Sequence, residues 1–282
     1  MRAQKSRQQQ PRNTSIISPS RYLQARSPYA FIPYSPPPLC SSTLTILHPS
    51  TYTYSGPLLT STLPPILHTW AHQTFSSPST LLSLVKPLLS FLQTFLTSAG
   101  VDCYCLSIRA THATHDYDEP RWHVDEDVFV SWQEEVQKTK KEEVNKRWKL
   151  CATLLGPRTL FVSSCDHASA LKVLRRSKKE EKEKHAHICT SIRCLGCATY
   201  STELRHILVE KLAGCKTIAP EANELAVFRV GEDEGAVHSE PKCDSDRVFV
   251  NIVPGTEEEL KKLMQAWGMS EWPREWSVRG EM

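Results

Sequence analysis

The clearest strand in this chain is Arg247 to Val253, which reads Arg-Val-Phe-Val-Asn-Ile-Val. A short run of β-branched and aromatic residues of this kind demands sheet neighbours, and the chain supplies them. Val101 to Thr111 alternates Cys103, Cys105 and Ser107 with Tyr104, Leu106 and Ile108, the period of a strand. The strongly charged stretch Trp132 to Arg147 reads as a solvated hairpin or short helix; Trp148 to Leu155 is a further strand, Gly156-Pro157 breaks it, and Thr159 to Ser163 resumes; Leu225 to Val230 and Gly235 to His238 follow. Helices flank the series. Pro78 to Ala99 carries Leu81, Leu82, Val85, Leu88, Leu89, Leu92, Phe95 and Leu96 at helical spacing, with Ser77 as its N-cap and Pro87 either as a kink or as the start of a second helix. Thr256 to Trp267 is a C-terminal helix with Leu260, Leu263 and Met264 inward. Residues 166 to 224 read as an insertion: a charged helix through Lys184, a cysteine-rich stretch, and a helix from Ser201 to Ala213 with Ser201 as its cap. The expected class is α+β, mainly β with flanking helices, and the pattern suits a two-sheet jelly roll over residues 78 to 282.

The rest of the chain differs in composition. No Asp or Glu precedes Asp102, so all 31 acidic residues fall after position 101. Residues 1 to 77 are rich in Ser, Thr, Pro and Gln, with Ser35-Pro36-Pro37-Pro38 and Thr62-Leu63-Pro64-Pro65, and predict a disordered, basic tail. Its Arg2, Lys5, Arg7, Arg12, Arg21 and Arg26 also fit the composition of a mitochondrial transit peptide. No secretory signal of the usual form opens the chain, so the ten cysteines read as reduced thiols of a cytoplasmic or organellar protein. Leu81 to Leu96 is short and interrupted by Lys86-Pro87, so no membrane span is expected. The net charge of +3 has no interleaved basic and aromatic surface behind it, which argues against a nucleic-acid partner. No P-loop, G-x-S-x-G, H-E-x-x-H or dinucleotide-binding fingerprint occurs.

The residues that point to chemistry lie between the first two strands. Arg121-Trp122-His123-Val124-Asp125-Glu126-Asp127 contains an H-x-D pair. On extended backbone, alternate residues share a face, so His123 and Asp125 project into one space. One imidazole and one carboxylate are two of the three ligands of a 2-His-1-carboxylate facial triad. Glu126 and Asp127 are alternatives for the carboxylate; period two favours Asp125 but leaves Asp127 on the same face. His238 sits on a late strand, and Arg247 begins the next one nine residues on. If those strands pair, Arg247 returns beside His238, where a guanidinium can bind a carboxylate bidentately.

This order of H-x-D, a long interval, a second His and then Arg resembles the Fe(II)- and 2-oxoglutarate-dependent oxygenases. The resemblance implies a double-stranded β-helix, with His123, Asp125 and His238 holding Fe(II). It further implies that Arg247 binds the far carboxylate of the cosubstrate 2-oxoglutarate, assisted by Thr159 or Thr153. The substrate, a small molecule or a protein, is left open. A narrower bacterial and fungal family also resembles the chain, through R-F-H-V-D, a strand ending G-P-G-T, G-A-V-H-R-S-P, and then R with an apolar strand. The matching segments are Arg121 to Asp125, Leu155-Gly156-Pro157-Arg158-Thr159, Gly235-Ala236-Val237-His238-Ser239-Glu240-Pro241 and Arg247-Val248-Phe249-Val250. Ser239-Glu240 stands where that family has Arg-Ser.

A second cluster competes. His185, His187, Cys189, Cys194, Cys197 and Cys215 bring metal-ligating side chains together in sequence, and Cys194-Leu-Gly-Cys197 has zinc-knuckle spacing. Cys189, Cys194, Cys197 and Cys215 are the candidate zinc set. The alternatives to an oxygenase are therefore a cupin-like jelly roll that binds a metal or small ligand without turnover, and a zinc-stabilised interaction protein.

Overall fold

In a computed structural model, the protein is described over residues 27–35, 44–60, 62–129, 147–185 and 194–280. Ten strands and five helices occur among these residues, and the sheets are antiparallel. In chain order the elements are β1 (Tyr29–Pro33), β2 (Ser50–Pro57), α1 (Pro65–Thr74), α2 (Pro78–Ser98), β3 (Cys103–Thr111), β4 (Trp148–Leu155), β5 (Leu160–Val162), α3 (His167–Lys184), α4 (Leu195–Leu212), β6 (Thr217–Ile218), β7 (Glu224–Arg229), β8 (His238–Ser239), β9 (Arg247–Gly255), α5 (Glu257–Ala266) and β10 (Arg274–Arg279).

Seven strands form a large sheet in the order β1-β7-β4-β9-β3-β2-β10, and three form a small sheet in the order β6-β5-β8. A bridge between His123 and His238 adds the H-x-D segment to the free side of β8. The pairing is nested. Inside the β2–β10 pair, β3 pairs with β9; next, the His123 segment pairs with β8; then β4 with β7; innermost, β5 with β6. Two more contacts, β4 with β9 and β5 with β8, close the ribbon on itself.

Strand periodicity sorts the side chains into layers. In the large sheet Leu106, Ile108, Leu150, Ala152, Leu225, Val227, Val248, Val250 and Ile252 face one way and join α1 and α2 in the main core. The α2 stripe is Leu81, Leu84, Val85, Leu88, Leu89, Leu92, Phe95 and Leu96, all buried. Each such side chain contributes about 1.5–3 kcal/mol of transfer free energy. Pro87 stays within α2, which runs continuously to Ser98. On the small sheet Val162, Val237, Trp122 and Val124 turn outward against Ala170, Leu171 and Leu174 of α3 and Leu208 and Leu212 of α4. The molecule is thus layered helix, sheet, sheet, helix.

Several expectations are corrected. Ordered structure begins well before residue 78: β1, β2 and α1 all lie within the stretch expected to be a tail. β2 joins β3 in the sheet and its Tyr52 and Tyr54 are buried in the main core. Tyr-Thr alternation in Ser50–Pro57 outweighs the surrounding proline-rich composition. Residues 166 to 224 are no detachable insertion, since β6 pairs with β5 and the two helices cover the small sheet. α4 starts at Leu195, so Ser201 is inside it and caps nothing. β8 and β9 belong to different sheets, so Arg247 and His238 are not on paired strands. The charged stretch expected as a hairpin or helix at 132–147 lies, apart from Arg147, outside the described residues.

Only α2 among the described residues is long and apolar enough to cross a membrane, and 50% of that window is buried inside the fold. Its apolar face is used by the sheet.

Candidate metal centre

The space between the two sheets is lined by the other parity of the same strands. Cys151, Phe161, Ala226, Phe228, Ala236 and Tyr29 are buried there, with Phe31, Val230 and Phe249 packed against them. Three polar side chains meet at one end of this apolar lining. The ligand atoms of His123, Asp125 and His238 all lie within 4.8 Å of one another. His123 Nε2 is 3.4 Å and His238 Nε2 3.7 Å from the same carboxylate oxygen, Asp125 Oδ1.

Backbone geometry sets this convergence. His123 and His238 exchange N–H···O bonds of 2.9 and 3.0 Å, which puts their rings on one face with centroids 4.2 Å apart. The Asp125 carbonyl accepts from Gly231 N at 2.8 Å, which holds the H-x-D segment to the turn before β8. Gly235 allows the close approach: a Cβ there would stand 2.0 Å from Val124 Cγ1 and 2.5 Å from the Gly231 carbonyl. Gly156, at φ +82°, makes the turn after β4, where a Cβ would stand 2.2 Å from the Asp246 carbonyl next to Arg247. His167, the first residue of α3, is buried with Nε2 3.0 Å from the Gly235 carbonyl and anchors the strand approach from outside.

Hydrogen bonding selects the tautomers. His123 Nδ1 lies 2.7 Å from the Arg121 carbonyl and His238 Nδ1 2.9 Å from the Ala236 carbonyl. Each carbonyl can only accept, so each Nδ1 carries the proton and each Nε2 lone pair faces Asp125. Burial, reinforced by the neighbouring His123, pushes the His238 imidazole down to about 4, so it is neutral at pH 7. For Asp125, burial favours the neutral acid, but the bond to His123 and the charges of His238 and Lys149 outweigh it and hold the carboxyl far below its usual range. For His123, burial opposes protonation, while Asp125, the Arg121 carbonyl and Glu240 favour it and prevail. A cation binding here would compete with protonation of His123. His123 is 36% exposed and His238 8%, so the centre opens to solvent on the His123 side.

Asp127 does not compete for the site. Its Oδ2 pairs with Arg147 at 2.9 Å, and its Oδ1 accepts from Phe129 N at 3.0 Å. Arg247 is buried on the inner face of the large sheet, over the Phe249 ring at 4.3 Å. It donates from Nε to the Pro157 carbonyl at 2.8 Å and from a terminal nitrogen to Thr159 Oγ1 at 3.2 Å. Thr159, rather than Thr153, is therefore its threonine partner. Sequence reasoning passed over Lys149, whose Nζ lies 3.1 Å from Asp125 Oδ2. The signal was available: a lysine shares the inward parity of Cys151 in an otherwise apolar strand.

The candidate zinc set is not assembled as a unit. Cys194 precedes α4 and Cys215 follows it, separated by an 18-residue helix, or about 27 Å at 1.5 Å per residue. Cys197 lies on the first turn of α4 with Cys194, so Cys215 cannot share an ion with either. Cys189 and His187 lie outside the described residues. Among the described residues, His123, Asp125 and His238 are the one group of three or more such ligands. No protein-family model matches the chain, and no curated protein matches it.

Proposed function

We propose that the chain is a jelly-roll, metal-dependent oxygenase of the Fe(II)/2-oxoglutarate type, with His123, Asp125 and His238 as the metal ligands. The observation that carries the reading is the convergence of two Nε2 lone pairs on one carboxylate oxygen, with both Nδ1–H groups already committed to backbone carbonyls. Three protein ligands on one side leave the remaining positions open, which suits a centre that must take up small molecules. The nested pairing supports the jelly roll: eight segments fold back on one another from the ends inward and split between two facing sheets.

Bound Fe(II) would supply dioxygen activation coupled to oxidative decarboxylation of 2-oxoglutarate. The chain's own residues hold and orient. Arg247 presents a buried cation on the inner face, held over Phe249 and fixed by Pro157 and Thr159, with hydrogen-bonding capacity left for a carboxylate. Phe161 and Phe228 pack around His238 with ring centroids at 5.6 and 5.0 Å and keep water from its buried side.

The test is succinate formation from 2-oxoglutarate by Fe(II)-loaded protein in air. Wild type is expected to form succinate and His123→Ala to form none. Equal succinate from both would sink the reading. One observation favours a second reading, a cupin-like binder without turnover: Arg247 already satisfies two partners within the fold, and Glu240 sends its negative charge toward the same guanidinium. Metal uptake without succinate from any candidate substrate mixture would select that reading.

A further inference from the structure

We propose that Lys149 is a positioning residue for Asp125, fixing it as a single-oxygen ligand and lowering the charge that the centre presents to a metal. This rests on the metal-site reading above. The two oxygens of Asp125 have different partners. Oδ1 faces both imidazoles, at 3.4 and 3.7 Å. Oδ2 is 3.1 Å from Lys149 Nζ. Lys149 comes from β4 in the large sheet, whereas Asp125 belongs to the small-sheet side, so the pair crosses the space between the sheets. Its side chain is only 12% exposed. Cys105 and Cys151, the thiols on which its charge also acts, are buried, and burial pushes each up to about 12. They are neutral at pH 7, which leaves Asp125 as the anion that Lys149 pairs with there.

A carboxylate free at both oxygens can swing to chelate a metal through both, taking a further coordination position. With Oδ2 held by an ammonium, that swing would strip Lys149 of its partner and leave a largely desolvated, unpaired cation, which is costly. Lys149 therefore keeps Oδ1 alone as ligand and one more position open for incoming molecules. It also repels the ion it helps to place. A unit charge facing a divalent ion across a carboxylate weakens binding about tenfold even at the dielectric of water. The affinity is thus lower, and the coordination sphere more open, than the three ligands alone would produce.

The experiment uses Co(II) as a visible probe under anaerobic conditions, on the full chain, comparing wild type, Lys149→Met and Lys149→Arg. Each variant is first shown to unfold in one cooperative transition; if Met abolishes folding, Lys149→Gln carries the same test. Lys149→Met is expected to bind Co(II) about tenfold more tightly and to show a changed d–d spectrum at saturation. Lys149→Arg, which keeps the charge and a donor, is expected to keep the wild-type affinity and spectrum. A lysine needed only for packing would instead weaken binding when replaced by Met and leave the saturated spectrum unchanged; either result overturns the inference while leaving the metal centre intact. No Co(II) uptake by wild type would overturn the metal centre itself, and this inference with it.

Discussion

Along β9, Val248, Val250 and Ile252 turn toward α1 and α2, while Arg247, Phe249 and Asn251 turn toward the small sheet. β3 and β4 repeat the division: Leu106, Ile108, Leu150 and Ala152 join the main core, and Cys105, Ser107, Lys149 and Cys151 do not. One set of backbones thus carries two faces with opposite demands. The outer face is apolar and closed by helices, so it supplies stability. The inner face holds a buried arginine, a partly buried lysine–aspartate pair and the approach to two histidines, each costly to desolvate and kept by specific partners. The difference teaches where to look for chemistry in such a strand: at the parity that a simple core would have filled with Val and Ile.

Substitutions on the two faces should separate stability from binding. The largest effect belongs to the outer face. Ile252→Ala, at a position with no exposed surface, is expected to cost about 2–5 kcal/mol in chemical denaturation, with metal affinity of the folded protein unchanged. Loss of metal affinity without loss of stability would break the division. On the inner face, Arg247→Met is expected to weaken 2-oxoglutarate binding about 10–100-fold, the worth of a charge-assisted bond, while Fe(II) affinity stays at the wild-type value. Unaltered 2-oxoglutarate affinity would remove Arg247 from the cosubstrate site.

Two smaller effects sharpen the comparison. Gly235→Ala forces Val124 and the Gly231 carbonyl away, which displaces Asp125 through the segment they hold. Metal affinity should fall about tenfold, the lower end for disturbing a ligand's support; isothermal titration would reveal an unchanged value if Asp125 is placed by other means. Thr256 accepts from Glu259 N in a reciprocal cap of α5. Thr256→Ala should cost about 1 kcal/mol in thermal unfolding and leave metal binding alone, since Asp125 is held by Lys149 and Gly231 and not by α5.

Much of this was readable in advance because it follows from period and spacing. The alternation in Cys103–Thr111, the break at Gly156-Pro157, the strand from Arg247 and the helical stripe from Leu81 to Leu96 all reappear in the structure. Period two placed His123 and Asp125 on one face, His238 was added by the resemblance in order to the 2-oxoglutarate oxygenases, and the structure brings the three side chains together. What was missed has physical reasons. β1 and β2 sit between Pro-rich stretches, and composition averaged over the region hid two short alternating runs. β10, Arg-Glu-Trp-Ser-Val-Arg, is an edge strand whose pairing with β2 is long-range and leaves no local signature. The assumed pairing of the His238 and Arg247 strands failed because closeness in sequence does not decide which sheet a strand joins. Lys149 went unnoticed because its partner is 24 residues away in sequence and on the opposite sheet. Asp127 could not be set aside until Arg147 was seen to hold it.

The proposed metal centre stands or falls on whether His123, Asp125 and His238 bind one ion together. Anaerobic titration of Fe(II) into wild type, His123→Ala and His238→Ala, followed by competition with a chromogenic chelator, tests it most directly. One tight equivalent is expected in wild type, with an affinity lower by about a hundredfold or more in each variant, at least the effect of disturbing a ligand's support. Equal Fe(II) binding by all three proteins would contradict it.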